Sequence, residues 1–170
     1  WAKAGIMVRE ALIYENAFMF APGDRYLCVQ SQRQASPASA YARFQYRPAT
    51  DSNVTDSQAG AGPLSSWPDN WLRLRRMGSV YRAYAGTDGT NWTQIMEQDT
   101  ASSAWGGLAL GYDVWTTSYL PVAVGLFCTS HNAGNTNAVA TFTVYGENPV
   151  KNPVQISQQP AANTTLQINR

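Results

Sequence analysis

The feature of the sequence that most constrains its fold is a series of short runs in which apolar and polar residues alternate. The runs occupy residues 4–9, 26–31, 41–47, 71–76, 80–86, 92–96, 122–130 and 138–145. Gly, Pro, Asn and Asp separate them, and a helical repeat of apolar residues is almost absent. Short strands broken by turn residues predict an all-β fold, an antiparallel β-sandwich.

The clearest hairpin lies in residues 71–84, where two alternating runs flank a Gly-Ser turn. Successive side chains of a strand point to opposite faces, so Leu72 and Leu74 are predicted to face the core. The opposite face of this strand is predicted to meet solvent or a ligand, and it carries Trp71, Arg73 and Arg75.

Length, charge and hydropathy limit the number of domains and the classes of partner. A chain of 170 residues, 44% of them hydrophobic, is long enough for one main domain with a sizeable core. The formal net charge is +1 and only residues 73–76 concentrate arginine, so the sequence shows no cationic footprint for nucleic acid or another polyanion. No apolar run reaches the roughly 18 residues of a membrane span, and no signal-peptide pattern opens the chain. These features predict a soluble, already trimmed protein.

The two cysteines, Cys28 and Cys128, each lie inside an apolar strand-like run. The absence of a CxxC spacing and the presence of a single histidine argue against a structural zinc site. A disulfide needs a specific Cα separation, which the sequence does not give. A Cys28–Cys128 bridge and a pair of buried thiols therefore both remain open at this point.

The composition changes after residue 146, which suggests where the sandwich ends. Residues 1–146 are predicted to form the sandwich, with a long surface loop at 51–70 and an irregular region at 99–117. Residues 147–170 are predicted to form a linker and an extended tail rich in Thr and Gln.

Several motifs in a fixed order carry a resemblance to a known family. They are AKAGIMVRE at 2–10, FQYR at 44–47, WLRL at 71–74, YAGTDGTNWT at 84–93, VGLFCTSHN at 124–132 and ATF at 140–142. Together these motifs resemble the concanavalin A-like lectin/glucanase jelly-roll modules that bacteria attach to secreted glycoside hydrolases and cell-surface proteins. The resemblance spans residues 1 to about 146. It implies a jelly roll, a polysaccharide or glycan as partner, and a secreted or cell-surface location.

Two departures from that family bear on assembly. Family members carry further strands before the motif at 2–10, so we expect a sandwich that lacks its first strands. The tail at 154–160 resembles the first strand of an immunoglobulin-like domain but stops too soon to fold alone. Because an unpaired sheet edge accepts a donated strand, residues 154–170 are a candidate for self-association by strand exchange.

The sequence offers little for catalysis. A glycosidase needs two carboxylates about 5 to 10 Å apart, and the Glu-x-Asp-x-x-Glu motif of the laminarinase branch is absent. The acidic residues are scattered, mostly over predicted loops, although a pair that includes Glu10 stays open. No catalytic residue is assigned, and the sequence favours a binding or structural module over an enzyme.

Carbohydrate binding needs aromatic faces and planar polar side chains. The motif-matched polar candidates, expected on neighbouring strands of one sheet as a groove or otherwise as an ion-pair network, are Arg9, Glu10, Gln45, Arg47, Arg73 and His131. The candidate aromatic platforms, which lie in irregular segments, are Trp67, Trp105 and Trp115. No cofactor is required, but the oxygen-rich stretches 51–56 and 132–137 are candidates for a structural calcium ion.

The sequence thus supports three functions from different classes. The first is a non-catalytic carbohydrate-binding or cell-surface accessory module. The second is a structural or adhesive subunit that forms fibres by strand exchange through its tail, and the third is a glycan-active enzyme.

Overall fold

The computed structural model describes residues 2–10, 12–14, 17–19, 24–33, 40–57, 70–107, 109–130, 138–143 and 145–146. The strands are β1 (Lys3–Glu10), β2 (Leu12–Tyr14), β3 (Ala17–Met19), β4 (Tyr26–Arg33), β5 (Ala40–Arg47), β6 (Thr55–Ser57), β7 (Trp71–Met77), β8 (Val80–Gly86), β9 (Thr93–Asp99), β10 (Tyr112–Asp113), β11 (Ser118–Tyr119) and β12 (Val122–Thr129). One 3-10 turn, Ser103–Trp105, is the helical element of the described residues. The prediction of an all-β fold is confirmed.

Two antiparallel sheets carry the fold. The larger sheet has the strand order β12-β1-β4-β5-β6, and the smaller has the order β7-β8-β9. The short pairs β2-β3 and β10-β11 form separate two-stranded sheets. Because β1 lies between β12 and β4, the first described strand is an interior strand of the larger sheet.

The core lies between the inner faces of the two main sheets. The larger sheet contributes Val8, Leu27, Val29, Ala42 and Phe44, and the smaller sheet contributes Tyr81, Ala83, Ala85 and Ile95. These residues alternate along their strands, which is the pattern of a strand with one buried face. Leu72 and Leu74 pack against this cluster, so their predicted orientation is confirmed.

The run at 138–145 was predicted as a strand, and its described residues do not form one. A strand needs a neighbour to accept its backbone hydrogen bonds, and within the described ranges no strand pairs with this run. The chain divides into two compact units, residues 1–139 and 140–170, so the predicted boundary at 146 lies within the second unit. Residues 147–170 lie outside the described part. Among the described residues, no helix is long and apolar enough to cross a membrane.

Trp105, a predicted ligand platform, is instead a core residue. Its side chain is 1% exposed, and its ring stacks on Tyr46 with centroids 5.5 Å apart. The 3-10 turn that places it ends at Gly106, whose left-handed backbone (φ 66°) returns the chain to the surface. A ring buried this completely has no free face for a sugar, so the platform prediction for Trp105 is wrong.

The two cysteines are free thiols on opposite faces of the larger sheet. Cys28 lies beside Met7 and Cys128 beside Ala4, and these two positions of β1 point to opposite faces. Their strands are also two positions apart, about 10 Å, whereas a disulfide needs Cα atoms within about 7 Å. The disulfide alternative is therefore wrong. The alternative of two buried thiols holds for Cys28 alone, since Cys128 is exposed.

The thiols should differ sharply in reactivity. Burial raises the pKa of the Cys28 thiol to about 12, so at neutral pH it carries almost no reactive thiolate. We expect maleimide to modify Cys128 alone in the native protein and both cysteines in guanidinium, as read by intact-mass spectrometry. Cys128→Ser should abolish native labelling and Cys28→Ser should leave it unchanged. A native, unreduced protein in which neither thiol reacts until a reductant is added would contradict this arrangement.

β1 and β4 approach each other closely at Gly5. A Cβ atom at Gly5 would collide with the carbonyl oxygen of Val29 and lie 2.7 Å from the Cα atom of Gln30. Both obstacles are backbone atoms of β4, which cannot rotate away as a side chain can. The β1–β4 pairing therefore requires glycine at this position.

Replacing this glycine should destabilise the whole sandwich. We expect Gly5→Ala to lower the free energy of unfolding by about 2 kcal/mol or more, because β1 and β4 must separate to admit the methyl group. Gly125→Ala on the neighbouring strand β12 is the matched control, since a Cβ there meets nothing within 4 Å. Urea unfolding followed by tryptophan fluorescence measures both. Equal stability of the two variants would show that the close approach does not constrain the sheet.

Candidate functional site

The side of the larger sheet opposite the core is rich in polar groups, and we call it the polar face. It comprises Lys3, Met7 and Arg9 of β1, Tyr26, Cys28, Gln30 and Gln32 of β4, Tyr41, Arg43, Gln45 and Arg47 of β5, and Asp56 of β6. These residues alternate with the core residues of the same strands, so inward packing of Leu27, Val29 and Phe44 turns them outward.

Strand register arranges the polar face in rows that cross the sheet. Arg9, Tyr26 and Arg47 form one row, and Met7, Cys28, Gln45 and Asp56 form the next. Neighbours within a row are about 4.8 Å apart, and successive rows are about 7 Å apart. Three of the residues predicted from sequence, Arg9, Gln45 and Arg47, therefore share one face.

Gln45 is the centre of a hydrogen-bond network on this face. Its Oε1 atom accepts from Gln30 Nε2 at 2.9 Å and from Lys3 Nζ at 3.3 Å. Cys28 Sγ donates to Gln30 Oε1 at 3.7 Å, which fixes the orientation of that buried amide. The network joins three strands and holds the Lys3 ammonium group over the middle of the sheet.

Two carboxylates on or beside this face form ion pairs with arginines. Arg43 Nη1 lies 2.7 Å from Asp56 Oδ2, and Arg9 Nη2 lies 3.5 Å from Asp24 Oδ2. Asp24 and Asp56 are about 15 Å apart by strand spacing and register. A glycosidase pair is closer, at about 5 to 10 Å. These two carboxylates therefore serve to hold arginines and do not form an acid–base pair.

Tyr26 and Arg47 form the end of the polar face. The Arg47 guanidinium carbon lies 5.4 Å from the centre of the Tyr26 ring, within the range of a cation–π contact. Desolvation raises the pKa of the Tyr26 phenol, so its hydroxyl is a hydrogen-bond donor at neutral pH. The pair combines an aromatic ring, a hydroxyl and a planar cation, and all three can contact a sugar.

The polar face also has unused hydrogen-bonding capacity. Among the described residues, several buried side-chain atoms of this face have no hydrogen-bond partner. They are Nε of Arg43, Nε of Arg47, and Nε2 and Oε1 of Gln32. Gln32 is 0% exposed. Buried polar atoms are nearly always satisfied in folded proteins, so these atoms are exceptions within the sheet.

Two predicted residues are elsewhere. Glu10 points to the core side of β1, where Arg25 Nε donates to its Oε2 atom at 3.1 Å, so it does not share the face of Arg9. Arg73 lies on β7 in the smaller sheet, with its guanidinium 5.8 Å from the Tyr84 ring and 5.6 Å from the Trp92 ring. The prediction that the polar candidates share one sheet is therefore wrong for Arg73, because β7 pairs with β8 and not with β5.

Trp115 is displayed at the turn between β10 and β11. Its side chain is 91% exposed. Asp113 Oδ1 accepts hydrogen bonds from the backbone N–H groups of Trp115 at 2.9 Å and Thr116 at 3.3 Å, which orders the turn. Hydrogen bonds from Thr116 and Trp115 lower the pKa of the Asp113 carboxyl. Trp115 is thus accessible as a platform, whereas Trp67 and His131 lie outside the described residues.

No cluster of three or more His, Cys, Asp or Glu side chains occurs in the ranges that the structure describes. Of the predicted calcium stretches, 51–56 includes Asp56, which is paired with Arg43, and 132–137 lies outside the described residues. Among known proteins, no family model matches the chain and no curated protein is detectably similar to it. The interpretation of the polar face therefore rests on its own geometry.

Most members of the polar face were not predicted from sequence, among them Lys3, Tyr26, Gln30 and Arg43. A signal for two of them exists in residues 26–32, where Leu27 and Val29 alternate with polar or aromatic neighbours. That alternation already assigns Tyr26 and Gln30 to the face away from the core. It does not reveal which strands are adjacent, and adjacency is what makes the residues a site.

Proposed function

We propose that this chain is a non-catalytic carbohydrate-binding module of the concanavalin A-like jelly-roll type, carried by a secreted or cell-surface bacterial protein, and that it binds a polysaccharide across the polar face. The observation that carries the proposal is the Gln45-centred network next to the Tyr26–Arg47 pair. The sequence resemblance supports the class, and the antiparallel sandwich is compatible with it.

The chemistry of the polar face suits a sugar polymer. Sugar hydroxyls both donate and accept hydrogen bonds, and amide and guanidinium groups held in a fixed plane meet them with little loss of side-chain entropy. Gln45 is partly exposed and its side chain is held by Gln30 and Lys3, so much of that ordering cost is already met on folding. An extended chain laid over the partly exposed side chains of Tyr26, Gln45 and Arg47 would contact β4 and β5 at once.

Affinity gel electrophoresis against a panel of soluble polysaccharides tests the site with a matched pair of variants. Arg47→Ala should lower the affinity for the retarding polysaccharide about tenfold, because a charge-assisted hydrogen bond and the packing on Tyr26 are lost. Arg73→Ala is the control: it removes the same side chain from a similar ring contact on the other sheet, and it should bind as the wild type does.

The opposite pattern of retardation would show that the ligand binds elsewhere on the protein. If Arg73→Ala abolished retardation and Arg47→Ala did not, the ligand would lie on the smaller sheet beside Trp92. If no polysaccharide retarded the wild type, the carbohydrate-binding proposal would fail. Thermal unfolding by circular dichroism shows whether either variant has lost its fold.

A second candidate function, a structural subunit that assembles by strand exchange, is favoured by the outer edge of the larger sheet. On β12, Val124 is 52% exposed and Leu126 is 39% exposed, yet register with Val8 and Ile6 places both on the core side. In the described part of the chain, β12 pairs with β1 alone, and β7 pairs with β8 alone. β7 packs across from β1 and β4, and the apolar side chains of Val124 and Leu126 on β12 remain exposed.

A donated strand could pair with the free edge of β7 and cover these apolar side chains. Residues 154–170 of a second copy are the proposed donor, because Val154 and Ile156, and again Leu166 and Ile168, alternate with polar residues as a half-buried strand requires. Each copy would then accept one strand and donate another, and such an exchange can propagate into a fibre.

Size-exclusion chromatography with light scattering tests assembly. We expect the intact chain to form concentration-dependent assemblies, and a version ending at Glu147 to be monomeric. Val124→Ser with Leu126→Ser should also abolish assembly, because the acceptor surface loses its apolar contact. Val54→Ser is the control, since Val54 is similarly exposed but lies outside β12. Monomeric behaviour of the intact chain at high concentration would remove the structural candidate.

A further inference from the structure

We infer that the polysaccharide bound by the polar face is anionic, with carboxylate or sulfate groups on its sugars. The inference rests on the proposed function, and it adds the chemical class of the ligand. It comes from a balance of charge that the tertiary structure creates across three strands.

The charges of the polar face do not cancel. Its cations are Lys3, Arg9, Arg43 and Arg47, and the acidic groups next to them are Asp24 and Asp56. Each carboxylate is paired with one arginine, Asp24 with Arg9 and Asp56 with Arg43. Within the described residues, Lys3 and Arg47 have no carboxylate partner. Two positive charges of this face are therefore left without a carboxylate partner in the part of the chain that the structure describes.

The two remaining cations are both neighbours of Gln45. The Lys3 ammonium group lies 3.3 Å from Gln45 Oε1 and is thereby drawn from β1 toward β5. Arg47 is the next residue of β5 on the same face, about 7 Å from Gln45. The neutral Gln45 side chain thus has the Lys3 ammonium group at hydrogen-bond distance and Arg47 in the next row of the same strand, and an anion near it would interact with both.

The immediate partners of both cations are neutral. Lys3 donates to an amide oxygen, and Arg47 lies over the Tyr26 ring, while its Nε atom has no partner among the described residues. Both side chains are only partly exposed. A cation with reduced hydration gains more from an anionic ligand than a fully solvated one does, because charge–charge interactions strengthen as water is removed. A neutral sugar leaves both charges uncompensated.

The sequence indicated no site for a polyanion, and the structure explains why such a site is hidden there. Lys3 and Arg47 are far apart in the chain, and alternation gives each of them a neighbour of different chemistry. Antiparallel pairing of β1, β4 and β5 brings them onto one face. A search for consecutive basic residues therefore finds residues 73–76 on the other sheet and misses this cluster.

Two matched pairs of polymers test the inference by affinity gel electrophoresis: polygalacturonate with its methyl ester, and dextran sulfate with dextran. The two polymers of each pair have the same sugar backbone, and only one of them carries negative charge. We expect the wild type to bind at least one acidic member about tenfold more tightly than its neutral partner, and to lose that preference as salt rises past about 0.15 M. The pair that responds identifies the anionic group as carboxylate or sulfate.

Charge variants locate the effect. Lys3→Gln and Arg47→Gln should each remove most of the preference for the acidic polymer. Arg75→Gln is the control, because it lowers the net charge equally but lies exposed on β7 in the other sheet. If Arg75→Gln weakened binding as much as the other two, the effect would be one of net charge and the inference would be overturned.

The remaining outcomes separate this inference from the proposed function. Equal binding of acidic and neutral partners, or retardation by other neutral polysaccharides alone, would overturn the anionic class and leave the carbohydrate-binding module in place. Failure of every polysaccharide would overturn both. Single-stranded DNA bound as tightly as the acidic polymer, with the same dependence on Lys3 and Arg47, would show a general polyanion site and overturn the assignment to a sugar.

Discussion

The close approach of β1 to β4 at Gly5 is the constraint on which the rest of the structure depends. Because β1 lies between β12 and β4, its register decides which residues of three strands share a face. Backbone atoms of β4 fill the space that a side chain at Gly5 would need. The same register sets Val8 beside Leu27 in the core and Arg9 beside Tyr26 on the polar face, so core packing and the candidate site have one origin.

On the polar face, polar side chains are held in fixed positions by hydrogen bonds and ion pairs. Gln30 and Arg43 are buried, and their side chains are held by Gln45 and Asp56. Such a network is costly if broken, because each orphaned buried group loses a hydrogen bond that water would otherwise have supplied. It also holds the side chains in fixed positions on the sheet. In the proposed function, the same contacts would supply both rigidity and recognition.

Much of the fold could be predicted from period-two alternation, and much of the site could not. Leu72 and Leu74 were assigned to the core correctly because the buried face of a strand repeats every second residue. Trp105 was misassigned as a platform because an irregular segment gives no face, and its ring packs on Tyr46 instead. The described residues of 138–145 have the alternation of a strand but do not form one. Alternation shows only that a segment is amphipathic, and a β-strand also needs a neighbouring strand for its backbone hydrogen bonds.

The sequence by itself determined the fold class and the seven longer strands, β1, β4, β5, β7, β8, β9 and β12, since these follow from the local alternation of side chains. Only the tertiary structure decided that Arg9, Gln45 and Arg47 share a face while Glu10 and Arg73 do not, and that Cys28 and Cys128 are held apart. It also joined Lys3 to that face. The physical reason is that strand adjacency and register arise from contacts between residues far apart in the chain, which no local pattern records.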